Sequence, residues 1–123
     1  MTGFELMTAE IKDFESSAIY RNKFNIFLSC ISKRGKDNPA KSADIEKALD
    51  LSGPAVRSLV RYSRLKKYKI ASNEHGYYMA KNAFEIKDTI KHLRERSAIL
   101  AVLANCLEQP NAESIKDQTE MNL

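Results

Sequence analysis

Residues 52–80 read SGPAVRSLVRYSRLKKYKIASNEHGYYMA, and this stretch decides how the chain is organised. Ser52 is placed to cap a helix, because its hydroxyl can accept from an orphan N–H of the first turn. Pro54 falls inside that turn, where a missing N–H costs nothing. Val56, Leu59, Val60 and Ser63 recur at helical spacing on one side. Arg57, Ser58 and Arg61 point the other way, with Arg64 on the flank. After Lys67 the pattern changes. The β-prone runs Tyr68 to Ser72 and Tyr77 to Ala80 flank a polar turn, Asn73-Glu74-His75-Gly76, and predict a hairpin. Gly76 is expected to close it with a positive φ, which glycine adopts without a Cβ clash.

Upstream, Ser42 is expected to cap a short helix from Ala43 to about Asp50, with Ile45, Ala48 and Leu49 facing inward. Leu51-Ser52-Gly53 then leaves room only for a sharp helix–helix corner. A longer helix is expected from about Ser16 to Lys33, ahead of the polar loop 35–41. It carries Ile19, Tyr20, Phe24, Phe27, Leu28 and Ile31 on its apolar side, and the aromatics among them read as core. Residues 1–15 have no sustained period and read as an arm or a short helix around Thr8–Phe14.

Downstream, Asn82 and Glu85 form a capping pair. Ile86, Ile90, Leu93, Ser97, Leu100, Ala104 and Leu107 then alternate intervals of four and three, the spacing of a coiled-coil seam. The stretch from Ala98 to Ala104 is apolar almost all round and needs cover on more than one side. Ile99, Leu100, Val102, Leu103 and Leu107 are therefore expected to make a homodimer. The alternative is that Phe4, Leu6, Ile11 and Phe14 fold back over this face within one chain. Pro110 stops the helix. The organisation expected is a segment 1–15, a body 16–109 and a disordered acidic tail 110–123.

A chain of 123 residues supports one modest core, and 43% hydrophobic with 29% charged residues fits a folded, soluble protein. The net charge of +4 is unevenly laid out: residues 1–15 carry −3 and 110–123 carry −2, which leaves +9 on the middle. Arg57, Arg61, Arg64, Lys66, Lys67 and Lys69 fall within thirteen residues with no acid among them. Such clustering favours a polyanionic partner, nucleic acid above all. Cys30 and Cys106 stand alone in apolar helical contexts and are expected to be buried, reduced thiols. The start lacks the basic-then-apolar order of a signal peptide, and the longest apolar run, seven residues, is too short to span a bilayer. Cytoplasm or nucleoid is the expected location, with no membrane partner. His75 and His92 have no Cys or carboxylate at ligand spacing, and no phosphate-cradling loop or catalytic motif is visible. No metal, no cofactor and no enzymatic activity are expected.

Two short helices around a tight corner, the second rich in Arg and followed by a hairpin, make a winged helix-turn-helix. The fold class expected is thus mainly α with a small β-hairpin and a long C-terminal helix. The runs Val56-Arg57-Ser58-Leu59-Val60-Arg61, Ile70-Ala71-Ser72 and Gly76-Tyr77-Tyr78-Met79-Ala80 resemble the winged-helix module of small phage replication-initiation and regulatory proteins. The resemblance covers roughly residues 42–107. It implies DNA binding by the helix from Ser52 and by the wing, in replication initiation or transcription regulation of a phage or mobile element. Two positions depart from it: Ser63 stands where an apolar residue is usual, and Lys67 where the helix usually ends in Gly.

The chemistry of the residues fits that expectation. Arg57 and Arg61, one turn apart and outward, suit guanine O6 and N7 in the major groove, with Ser58 between them. Ser52 and the helix N-terminus suit a phosphate. Arg64, Lys66, Lys67 and Lys69 suit the backbone, and Asn73 and His75 lie at the wing tip. A competing expectation is a protein-binding inhibitor or adaptor that turns the same basic face on a host nucleic-acid-handling complex.

Overall fold

The computed structural model describes residues 2–111, and the chain divides into two units, Met1–Thr89 and Ile90–Leu123. From residue 112 the expected tail lies outside the described residues. The protein is mainly helical, with one antiparallel hairpin and a long C-terminal helix. Its elements are α1 (Gly3–Ser16), α2 (Ala18–Ile31), α3 (Ser42–Leu49), α4 (Gly53–Leu65), β1 (Ile70–Asn73), β2 (Gly76–Met79) and α5 (Ala83–Glu108). Among the described residues no helix is long and apolar enough to cross a membrane.

The N-terminal segment is a full helix. Thr2 and Glu5 satisfy each other's backbone N–H groups, at 3.1 and 3.2 Å, in a reciprocal capping box. Ser17 then ends α1 and caps α2, its hydroxyl accepting from the Tyr20 N–H. Phe14 is buried and stacks on Tyr62 of α4, with ring centroids 5.0 Å apart. Ile11 packs against the same core. The C-terminal turns of α1 are thus used within the first unit, while Leu6 is exposed, and a period is hard to see because only those turns carry core residues among the residues whose burial is described.

The core gathers Phe27 and Ile31 of α2, Ile45 and Leu49 of α3, Val56, Leu59 and Val60 of α4, and Ile70 of β1. Four local expectations need correction. Ile19 and Tyr20 are exposed, because α2 turns its buried side through Phe27 and Ile31. Ala48 is exposed on α3, whose buried residues are Ile45 and Leu49. Lys41, not Ser42, occupies the N-cap of α3, and the Ser42 hydroxyl instead donates to the Glu46 carboxylate across the first turn. Cys30 and Cys106 are both exposed rather than buried. Cys30 sits beside core residues in sequence but on the solvent side of their turn, and the apolar run before Cys106 is itself exposed.

The hairpin pairs Ile70 with Met79, Ala71 with Tyr78, Ser72 with Tyr77 and Asn73 with Gly76, which leaves a loop of only Glu74 and His75. Asn73 Oδ1 accepts from the N–H groups of His75 and Gly76, at 2.8 and 3.1 Å, and closes that loop. A third backbone partner comes from the loop before α3. Ala40 and Tyr77 exchange two hydrogen bonds of 2.7 and 2.9 Å. Ala71 and Tyr78 form the other, buried face of the hairpin. Burial pushes the Tyr78 phenol up, and the carboxylates of Glu85 and Asp88 in the first turns of α5 push it the same way. Thr89 fixes that helix to β1: its hydroxyl accepts from the Ser72 N–H at 3.0 Å and donates to the Ser72 carbonyl at 3.3 Å.

The start of α5 follows the expected cap. Asn82 accepts from the Glu85 N–H at 3.0 Å, while the Glu85 carboxylate accepts from Lys81, one residue earlier than a capping box requires. In the second unit the helix continues with its apolar side chains exposed, Ile90, Leu93, Ile99, Leu100, Val102, Leu103 and Leu107 among them.

Candidate nucleic-acid interface

The geometry of α4 follows from its one apolar stripe. Val56, Leu59, Val60 and Ser63 are buried, so the opposite side must face solvent, and Arg57 and Arg61 are exposed there one turn apart. Ser52 caps the helix with its hydroxyl 3.2 Å from the Ala55 N–H, and Pro54 occupies the first turn. The corner before it is tight because Asp50 takes a left-handed conformation (φ 52°) and its N–H returns to the Glu46 carbonyl. Ser63, polar at an apolar position, is satisfied inside the helix by donating to the Leu59 carbonyl at 2.8 Å.

The expected contact residues are not equivalent. Arg61 donates to the Ser58 hydroxyl at 2.9 Å, which holds the two as one unit on the exposed side of α4. Arg64 is half-buried and turned toward the hairpin: its Nε donates to the Ile70 carbonyl at 3.0 Å and its terminal nitrogen to Ser72 Oγ at 3.4 Å. It ties α4 to β1. Lys66 is held by α1, its ammonium 2.7 Å from the Glu15 carboxylate, which also accepts from the Tyr62 hydroxyl at 3.1 Å. The Lys66 bond and then the Tyr62 bond hold the Glu15 carboxyl below its ordinary value, and the Glu15 bond raises Lys66. Lys67 and Lys69 are exposed. Lys67 has φ 75°, so it takes the left-handed position at the helix end that glycine usually fills. At the hairpin tip His75 is exposed beside the Glu74 carboxylate, at 3.3 Å, while Asn73 is occupied by the turn.

Arg64→Ala is expected to lower stability by about 1.5–3 kcal/mol, the range for a hydrogen bond to a charged group. Lys69→Ala, on an exposed side chain, is expected to stay within about 0.5 kcal/mol of wild type. Urea unfolding midpoints of the two variants check this; equal midpoints would remove the tie between α4 and β1.

No family model, no curated protein and no solved structure matches the chain. Among the described residues no group of three or more His, Cys, Asp or Glu side chains is placed to hold a metal ion. A cleft of about 220 Å³ lies on the flank of α4 that faces α1, lined by Asp13, Phe14, Tyr20, Ala55 and Ser58.

Sequence reasoning missed Glu15 as the partner of Lys66, Tyr62 as the link between them, and Ala40 as the third edge of the hairpin. Tyr62 carried a signal, because it falls one turn after Ser58 and one before Lys66 on a single flank of α4. Ala40 carried none, since its pairing is a backbone contact over 37 residues of sequence.

Proposed function

We propose that the chain binds double-stranded DNA through α4 and the hairpin, as a winged helix-turn-helix, with Arg57 and Arg61 reading base edges. The observation that carries this reading is the exposed pair Arg57 and Arg61 on the outward side of a helix whose inward side is wholly buried. A helix so fixed presents its guanidinium groups at a set spacing, which groove reading requires. The sharp α3–α4 corner, the hairpin tied to α4 by Arg64, and the exposed Lys67 and Lys69 support it. Ser52 and the N-terminus of α4 suit a phosphate in this reading, and His75 suits the wing contact. Lys66 reaches a phosphate only by leaving Glu15. A role in phage or mobile-element replication initiation or transcription regulation follows from the resemblance of residues 42–107.

The test is a gel shift with random duplex DNA at low salt, followed by salt titration and selection of a preferred site. Arg57→Ala is expected to relax sequence preference and cost about 1–3 kcal/mol on that site. Lys67→Ala should weaken binding evenly across sequences and make the salt slope shallower by about one unit. Equal affinity for wild type and the Arg57→Ala, Arg61→Ala double variant would overturn the reading and leave the basic face to a protein partner.

A further inference from the structure

We infer that the second unit pairs with a second copy of itself, with the two helices running antiparallel. The seam residues in this unit are Ile90, Leu93, Ser97, Leu100, Ala104 and Leu107, all exposed along one side of α5. Together with Ile99, Val102 and Leu103, its larger members stand 40–87% exposed, a level that a solitary helix in water does not sustain without cost. At roughly 100 Å² of apolar surface for each large side chain, Ile90, Leu93, Leu100, Leu103 and Leu107 supply about 500 Å² per partner, the scale of a small interface.

Orientation follows from the side-chain sizes. A parallel pair in register would set Ser97 against Ser97 and Ala104 against Ala104, leaving two thin layers between layers of leucine. Reversing one helix sets Leu93 against Ala104, Ser97 against Leu100, and Ile90 against Leu107. Every small residue then meets a large one, and the layers fill evenly. Charge favours the same arrangement. Residues 90–97 hold Lys91, Arg94 and Arg96 against Glu95 alone, a net +2, whereas 98–107 hold no charged residue. Parallel pairing would place the two cationic halves side by side; antiparallel pairing lays each along the uncharged half of its partner. Lys91 and Glu95, 3.9 Å apart, offset only part of that charge. Ile99 and Val102 lie off the seam, so the pairing does not depend on them.

The test uses the full chain and needs no DNA, so its outcome is separate from that of the DNA reading. Light scattering at tens of micromolar is expected to report a dimer for wild type and for Ile99→Ala with Val102→Ala. Leu100→Glu with Leu103→Glu should give a monomer whose first unit still melts cooperatively. Orientation is read by oxidation in a Cys30→Ser, Cys106→Ser background. Leu93→Cys mixed with Ala104→Cys should yield the mixed disulfide dimer. Either variant alone should not, because its two thiols would sit roughly 16 Å apart along the pair at ~1.5 Å per residue. A monomeric wild type, a self-linked Leu93→Cys or Ala104→Cys dimer, or no cross-link in the mixture overturns the inference.

Discussion

Gly76→Val is expected to remove a large share of the stability of the first unit, about 2–6 kcal/mol, and Gly76→Ala to come close behind. Gly76 has φ 147°, a conformation that side-chain-bearing residues rarely adopt. A Cβ there would lie 2.1 Å from the Ala40 carbonyl oxygen and 2.6 Å from its carbon. Those are backbone atoms, so no rotamer change relieves the overlap. The chain must give up the Ala40–Tyr77 pair, with its hydrogen bonds of 2.7 and 2.9 Å. Backbone strain of ~1–3 kcal/mol and two lost hydrogen bonds of ~0.5–1.5 kcal/mol each put the loss at about 2–6 kcal/mol. A domain of this size has only ~5–15 kcal/mol in total, and each kcal/mol lowers Tm by about 4–8 °C. His75→Ala, one residue away and exposed, should melt within a few degrees of wild type. Thermal melts followed by circular dichroism decide it. Since alanine carries the same Cβ without β-branching, a Gly76→Ala variant that melts with wild type would show that the approach of Ala40 has no energetic weight.

Gly76 also marks where the sequence stopped being legible. That a glycine closes the turn was readable, because a polar loop between two β-prone runs needs one. That the same glycine is pressed against Ala40 was not, because the contact joins residues far apart through backbone atoms alone. The pattern repeats elsewhere. The start and main stripe of α4 could be read, because Val56, Leu59, Val60 and Ser63 recur strictly and the N-terminus holds both Ser52 and Pro54; the burial of Tyr62 against α1 could not. α1 could not be read, since a helix that buries Phe14 and packs the half-buried Ile11 at one end shows too few apolar repeats to declare a period. Within the basic cluster, helical spacing already set Arg57 and Arg61 outward and Arg64 on the flank. That Arg64 and Lys66 are tied to Ile70 and Glu15 was not readable, because those partners lie on other elements. The side of α4 on which a cation sits is a matter of local period; what it meets there is set by the tertiary fold.

Phe27→Ala is the second large effect, and it separates a residue that builds the site from one that would touch a ligand. Phe27 is 1% exposed and belongs to the cluster that α2, α3 and α4 share. With Ile31, Ala40, Ile45 and Leu49 it lines a cleft of about 160 Å³ between α2 and α3. Truncation would widen a space that is already imperfectly filled, and the helices around it can collapse only partly. The expected loss is about 3–5 kcal/mol, read from urea unfolding. Ile26→Ala, one position earlier and 44% exposed, should cost under about 1 kcal/mol. If the chain binds DNA as proposed, the consequence for that binding differs in kind from that of an arginine variant. Phe27 makes no charge contact, so at a temperature where Phe27→Ala is folded its salt slope should equal that of wild type. As it warms, binding should fall in step with the folded fraction, since α3 and α4 keep their corner only while the core beneath them holds. A shallower salt slope for folded Phe27→Ala would mean that the phosphate contacts themselves had moved, and the core would then have to be credited with setting the register of α4.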